Sequence, residues 1–86
     1  MASYQIEWKP SAVKELRRLP KQAVQRIYVA VDGLAEDPLP PGALKLSGSD
    51  RSYRIRVGDY RILYTVESDW LIVEIVRVGH RRDVYR

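Results

Sequence analysis

The sequence predicts an α+β fold, a two-layer sandwich with the element order βααβββ, in which an N-terminal helix hairpin packs on a largely antiparallel sheet. Three observations support this prediction. The first residues alternate between apolar and polar, residues 10–36 repeat apolar side chains at helical spacing, and the second half alternates again between short turns. The chain has 86 residues, the size of one domain, and we predict a single domain over residues 1–86.

The N-terminal half predicts one strand followed by two helices. Residues 4–8 alternate and should place their apolar side chains on one strand face. Pro10 suits the first turn of a helix, and Pro20 should end or kink that helix. A second helix is predicted over residues 21–36. Its apolar stripe consists of Val24, Ile27, Tyr28, Val31, Leu34 and Ala35.

The second half predicts a meander of three strands. Residues 44–46 suggest a short extended piece between a proline-rich connector and the meander. Residues 53–57 and 60–66 both alternate, and the pair at 58–59 suits a tight hairpin between them. Residues 70–78 form the most apolar stretch, and we expect this strand at the centre of the sheet.

Several classes of protein are excluded by composition. The chain has no cysteine and one histidine, which excludes a disulfide scaffold, a cysteine zinc site, thiol catalysis and a cluster of several histidines around a metal. Its apolar runs are too short for a transmembrane span or a signal peptide. We therefore predict a cytoplasmic protein that does not use a membrane, a metal or a cofactor.

Positive charge is concentrated towards the C-terminus. The net charge is +4, from 15 basic and 11 acidic residues. Residues 1–50 contribute 7 − 6 = +1, whereas residues 51–86 contribute 8 − 5 = +3. All basic residues after Lys45 are arginines, whose planar guanidinium groups bind phosphate in a bidentate manner. This distribution favours an anionic partner.

Alternation along the meander predicts a cluster of arginines on one sheet face. If the apolar residues of 53–57 face the helices, Arg54 and Arg56 face away together. Arg61, just after the hairpin turn, also lies opposite the apolar set of its strand. Like charges this close repel by about 1 kcal/mol per pair near a wet surface, and a bound polyanion would relieve that repulsion. The alternative is that each arginine pairs with a carboxylate, for which the candidates are Glu67, Glu74 and Asp69.

The C-terminal stretch adds two further candidates. His80 is the side chain that titrates near neutral pH, and it follows Gly79, where the chain can bend. A lone histidine serves either as a surface or packing residue or in proton transfer. Tyr85 either closes the core as an aromatic anchor or stacks on a base.

Two segments of the chain resemble the RelE branch of the RelE/ParE toxins. They are residues 51–64, RSYRIRVGDYRILY, and residues 76–85, VRVGHRRDVY. The segments WKPSA at 8–12 and KLSG at 45–48 also fit the family pattern. The resemblance implies a toxin that cleaves mRNA in the ribosomal A site. It also implies a RelB-like acidic antitoxin that wraps and silences the toxin, with operator DNA contacted only through that antitoxin.

The resemblance also assigns candidate site residues. It implies that Arg61, Arg81 and Tyr85 form the catalytic set. His80 stands where some members carry lysine and is an alternative acid or base. A further group is expected to bind RNA phosphates, with arginines at two positions where well-known members have lysine. This group consists of Arg54, Arg56 and Lys45.

Three functions follow from these features. RNA carries its own nucleophile, the 2′-hydroxyl, so metal-free cleavage is the first hypothesis. A ParE-like inhibitor of DNA gyrase is the main alternative, since it implies the same fold without nuclease chemistry. The third hypothesis is a catalytically inactive toxin that acts only as a co-repressor with its antitoxin.

Overall fold

The structure is a computed structural model, and it describes residues 3–81. The helices form one layer and the strands the other, so the predicted α+β sandwich and its element order are confirmed. The predicted extended piece after the connector forms a strand of two residues. The elements in chain order are β1 (Gln5–Trp8), α1 (Pro10–Arg17), α2 (Lys21–Leu34), β2 (Leu44–Lys45), β3 (Ser52–Val57), β4 (Tyr60–Glu67) and β5 (Ile72–His80).

The sheet has five strands in the order β1-β5-β4-β3-β2. β1 pairs with β5 in parallel, and every other pair is antiparallel. The expectation that the most apolar strand, β5, forms the centre was wrong. The meander places β4 between its two neighbours along the chain, and β1 and β2 then extend the sheet equally on either side. β4 is therefore the central strand.

The last strand also begins later than predicted. Trp70 and Leu71 belong to the turn after β4, and β5 starts at Ile72. Leu71 has φ 54°, in the left-handed region, which interrupts the extended backbone that residues 70–78 were expected to share. Trp70 is 76% exposed, so its apolar ring does not contribute to the core.

Both helices end close to the predicted positions. α1 ends at Arg17, three residues before Pro20, and α2 ends at Leu34 rather than near residue 36. The last turn of α2 is closed by tighter backbone bonds, such as that from the Ala35 N–H to the Asp32 carbonyl at 3.1 Å. Within residues 3–81, no helix has the length and apolar content needed to cross a bilayer.

The core lies between the two helices and one face of the sheet. Tyr28, predicted to belong to the apolar stripe of α2, is 49% exposed and packs against Trp8 at a ring-centroid distance of 5.6 Å. The other residues of the predicted stripe are buried or half-buried, because helical spacing brings them over the strands. The buried cluster consists of Ala12, Leu16, Ile27, Val31, Leu34, Ile55, Ile62, Tyr64, Val66, Val73, Ile75 and Val78.

Candidate nucleic-acid interface

Three arginines lie on the sheet face that the helices do not cover. In the register of β3 and β4, Arg56 is directly opposite Arg61, and Arg54 is opposite Leu63. Residues opposite each other share a face, and the intervening Ile55 is buried in the core under the helices. We call the other side, marked by Arg54, Arg56 and Arg61, the open face. The alternation predicted from the sequence places these side chains correctly.

Arg61 occupies the most enclosed position of the three. It is flanked by Arg56 on β3 and by Gly79 on β5, which has no side chain to cover it. Its Nε and Nη1 atoms are shielded from solvent, whereas Arg56 is exposed. A guanidinium group that is partly withdrawn from water interacts more strongly with an anion because the local dielectric is lower.

Arg81 lies at the same end of the sheet as Arg56 and Arg61. Its backbone N–H donates to the Asp59 carbonyl at 2.9 Å, which ties the end of β5 to the β3–β4 turn. Gly58 in that turn has φ 61°, a conformation that glycine adopts readily. The turn therefore brings Arg81 close to the ends of β3 and β4 that carry Arg56 and Arg61.

Arg77 also belongs to the open face, although the sequence did not indicate it. The pairing of β4 with β5 shifts by one residue, so that Val76 is an extra residue in β5. The shift resets the alternation, so Ile75 and Val78 both face the core, and Arg77 takes the opposite side. The adjacent apolar residues Ile75 and Val76 were the sequence signal for this irregularity.

One carboxylate considered as an arginine partner has another role. Glu67 forms an ion pair with Arg51, at the end of β3 and β4 that is farthest from their connecting turn. Its hydrogen bond raises the pKa of Arg51 above the ordinary value for arginine. This ion pair is exposed, and such pairs contribute little to stability.

The open face continues as a shallow cavity of about 260 Å³ away from the β3–β4 turn. Apolar side chains such as Leu63 and Val76 line it together with polar groups from Ser52, Thr65 and Glu74. A surface with this mixture can accept the flat ring of a base as well as polar edges. Within residues 3–81, no three His, Asp or Glu side chains converge as ligands of a metal would.

Two predicted site residues lie on the other face, and one lies outside the described part of the chain. His80 is opposite Tyr60, and their rings meet edge to face at 5.9 Å. Lys45 lies in the edge strand β2, opposite Tyr53 of β3. Because Tyr53 faces the helices, this register places Lys45 on the helix side. Tyr85 falls outside residues 3–81. The described residues thus bring together Arg54, Arg56, Arg61 and Arg81, but not Lys45 or His80.

The fold and the arginines together define a class, a small α+β protein with a basic sheet face. The family model of the ParE toxin of the type II toxin–antitoxin system parDE matches residues 6–85. Toxin RelG of Mycobacterium tuberculosis is 30% identical over 84 residues, covering 96% of this chain and 97% of the relative. Toxin RelE3 of Methanocaldococcus jannaschii is 34% identical over 77 residues, covering 85% of each chain.

Solved structures agree with these sequence relatives. The crystal structure of the archaeal RelE–RelB complex from Pyrococcus horikoshii OT3 has a chain that matches with a TM-score of 0.83 and 30% identity, covering 95% of this chain and 99% of that one. This protein therefore belongs to the RelE/ParE superfamily and is a RelE-like toxin of a type II toxin–antitoxin system.

Proposed function

We propose that this toxin is a ribosome-dependent endoribonuclease that cleaves mRNA in the A site and thereby inhibits translation, with residues 1–86 acting as one domain in the cytoplasm. The observation that carries the proposal is the arginine cluster of the open face. Arg56 and Arg61 are directly opposite each other, an arrangement that destabilises a sheet by itself. An RNA backbone supplies the negative charge that offsets this repulsion, and the kinship with RelE-like toxins supports RNA as the substrate.

The proposed reaction uses the 2′-hydroxyl of the message as nucleophile. A bond forms between the 2′-oxygen and phosphorus, and the bond from phosphorus to the 5′-oxygen breaks. A base accepts the 2′-hydroxyl proton, and the leaving 5′-oxygen takes up a proton. The products are a 2′,3′-cyclic phosphate and a 5′-hydroxyl. Arg61 and Arg81 stabilise the additional charge on the phosphate, and Arg54 and Arg56 hold neighbouring phosphates.

Proton transfer is assigned first to Tyr85. His80 is the easier acid in chemical terms, but it faces Tyr60 on the helix side, away from Arg61. Arginine is a poor general acid because its pKa is above about 12. Positioning by the ribosome must therefore contribute much of the rate, and alignment of reacting groups can supply a large share of a barrier.

The proposed partner is an acidic antitoxin similar to RelB. Support comes from the similar structures of RelE in complex with RelB from Pyrococcus horikoshii OT3 and from Escherichia coli. A net-acidic antitoxin complements a chain of net charge +4 with an open arginine face. We propose that operator DNA is contacted only through this antitoxin.

Gyrase inhibition is the second candidate, because the matching family model is that of ParE toxins. A toxin that works only by protein contact does not require arginines on two facing strands and at the end of a third. Their arrangement therefore favours RNA cleavage. A catalytically inactive co-repressor remains as the third candidate.

One experiment separates the three functions. The chain is incubated with message, with and without ribosomes, and the 5′ ends of the RNA are mapped, while DNA breaks linked to gyrase are measured in parallel. Codon-spaced cuts that require ribosomes are expected. Gyrase-linked breaks without RNA cuts would establish the ParE-like function. If neither RNA cuts nor gyrase-linked breaks were found, the co-repressor function would be the one that remains.

A further inference from the structure

The strand that leads to Arg81 extends beyond its neighbour β1. The register of β1 with β5 ends at Ile75, and the Lys9 N–H makes the last backbone bond to the Ile75 carbonyl at 3.0 Å. Residues 77–80 therefore continue along β5 past the end of β1. α1 begins at Pro10, immediately after β1, and packs beside this part of β5.

A carboxylate from α1 takes the place of the missing strand. Glu15 Oε1 accepts a hydrogen bond from the Val78 backbone N–H at 3.0 Å. Glu15 Oε2 accepts one from Arg77 Nη2 at 3.2 Å, and the two side chains form an ion pair. Bonds to an ionised acceptor are stronger than those between neutral groups. Exposed fractions of 27% for Glu15 and 37% for Arg77 mean that solvent only partly screens this pair.

These bonds act on the segment that completes the arginine site. Val78 is followed by Gly79, which lies opposite Arg61, and by Arg81, whose N–H is bound to Asp59. β4 and the hairpin turn hold one side of this segment, and Glu15 holds the other. Without Glu15, this segment would be held on the β4 side alone, and the end of β5 would be freer to move relative to Arg61.

Packing alone does not fix this part of β5. A cavity of about 230 Å³ lies between α1 and the strand, lined by Glu15, Arg18, Leu19, Gly79 and His80 among others. Side chains that leave such a space make fewer contacts across it. The hydrogen bonds of Glu15 therefore add to the pairing with β4 in holding this part of the strand.

We propose that Glu15 is a positioning residue of the toxin, which holds the end of β5 so that Arg81 and Arg61 flank the same phosphate. The proposal rests on the proposed nuclease function. Glu15 itself does not touch the RNA and acts through Val78 and Arg77.

Three variants separate the two bonds of Glu15. Glu15→Ala removes both bonds. Glu15→Gln keeps an oxygen for the Val78 N–H but loses the charge. Arg77→Met removes the ion pair and leaves Glu15 free to accept from Val78, but it also removes a positive charge from the open face. Glu67→Gln is the matched control, because it breaks the other ion pair, with Arg51, far from the end of β5.

Two measurements are made on each variant, amide hydrogen exchange at residues 78–81 and single-turnover cleavage on programmed ribosomes. In Glu15→Ala, exchange at Val78 should become roughly tenfold faster or more, as expected for loss of a charged hydrogen bond. The maximal cleavage rate should fall by about tenfold to 10²-fold, because small displacements of reacting groups cost that much. The concentration of toxin at half-saturation should change little. Glu15→Gln should lie between parent and Glu15→Ala in both measurements, and Arg77→Met should do so in amide exchange. Glu67→Gln should match the parent.

Unchanged exchange at Val78 in Glu15→Ala would overturn the proposal, and so would faster exchange with a parental cleavage rate. If the parent does not cleave, the proposed function fails separately. The inference is then decided by titration with inorganic phosphate, followed by NMR of the Nε–H signals of Arg61 and Arg81. Both signals should respond together in the parent, and this joint response should weaken in Glu15→Ala. An identical response in the variant would overturn the inference.

Discussion

Arg61 is the residue on which the proposed chemistry depends most. It has Arg56 opposite it on one side and Gly79 on the other, and two of its guanidinium nitrogens are shielded from solvent. Such a group is poorly hydrated, so its charge interacts strongly with an anion that reaches it. Charge that acts on a developing phosphate anion stabilises the transition state of cleavage.

Replacing Arg61 with alanine should abolish most of the toxicity while the protein remains folded. The loss of one donor to a developing anion typically lowers a rate by about 10²–10³-fold. Growth arrest and cleavage on ribosomes measure the effect, and circular dichroism checks the fold. Arg51→Ala is the control, since it removes an exposed arginine that is paired with Glu67 at the other end of the strands. A folded Arg61→Ala protein that arrests growth like the parent would refute the assignment.

Tyr85 remains a prediction from the resemblance. Tyr85→Phe keeps the ring and removes only the hydroxyl. If that oxygen takes part in proton transfer, the single-turnover rate should fall by about 10²–10⁴-fold with little change in binding. A parental rate in Tyr85→Phe would exclude this role. If Tyr85→Ala then weakened binding, Tyr85 would be a stacking residue and attention would turn to His80.

At the scale of the element, we propose that β3 supplies residues that hold the RNA backbone. Arg56→Ala should weaken binding to RNA and lower the salt dependence of the binding constant, by a slope of about 0.7 for each phosphate of a single strand that the variant no longer neutralises. Binding is measured at several salt concentrations. Arg17→Ala removes the same charge from an exposed position at the end of α1, and its slope should equal that of the parent. Equal slopes for Arg56→Ala and the parent would contradict the role of β3.

The β3–β4 hairpin depends on a single glycine. Gly58 has φ 61°, and an added Cβ would lie 3.3 Å from a guanidinium nitrogen of Arg26. Gly58→Ala should reduce the free energy of unfolding by about 1–2 kcal/mol, because alanine is strained in the left-handed region. Gly33 provides the opposite case, since it is helical with nothing within 4 Å of an added Cβ. Gly33→Ala should stabilise α2 by about 0.5–1 kcal/mol, so urea denaturation that ranks the two variants in reverse order would contradict this explanation.

Most of this architecture could be predicted because it depends on local periodicity. The alternation in β3 and β4 placed Arg54, Arg56 and Arg61 on the open face. Helical spacing identified Ile27, Val31 and Leu34 as core residues of α2. The face of β5 depends instead on the extra residue Val76, which resets the alternation only when the strand pairs with β4. The side chain of Arg77 was therefore misplaced by simple alternation, and the adjacent apolar residues Ile75 and Val76 were the one local signal of the shift.

The remaining differences between the predicted and the observed fold arise from pairing between strands that are far apart in the chain. The parallel addition of β1 to β5 moves the centre of the sheet to β4, and apolar content alone does not report strand order. Lys45 was assigned from the family resemblance and His80 mainly from its titration near neutral pH, both without their strand register. The register places both on the helix side. The contact of Glu15 with Val78 joins residues far apart in the chain and has no sequence signature.

At the scale of the whole molecule, we expect the free energy of unfolding to fall at high pH because Tyr64 is buried. Burial raises the pKa of Tyr64 to about 12, and its hydroxyl donates to the Pro38 carbonyl at 2.7 Å. The unfolded chain loses this proton near pH 10, before the folded chain does. The resulting contribution to stability is complete below about pH 10 and is lost as the pH rises towards 12, by about 2–3 kcal/mol in total.

The free energy of unfolding of the parent should therefore fall more steeply between about pH 10 and 12 than that of Tyr64→Phe, as measured with urea. At neutral pH the variant should be less stable by about 1 kcal/mol because it lacks the hydrogen bond to Pro38. Parallel curves for the two proteins above about pH 10 would show that Tyr64 does not cause the decline.

The central claim is that the message supplies its own nucleophile, while the arginines of the open face stabilise the charge that develops on the phosphate. The most direct measurement is single-turnover cleavage on ribosomes programmed with messages that differ only in one 2′-hydroxyl at the cut position. We predict that the all-ribose message yields a 5′-hydroxyl and a 2′,3′-cyclic phosphate, and that a single 2′-deoxy substitution prevents the cut. Cleavage at an unchanged rate beside the 2′-deoxy nucleotide would contradict this claim.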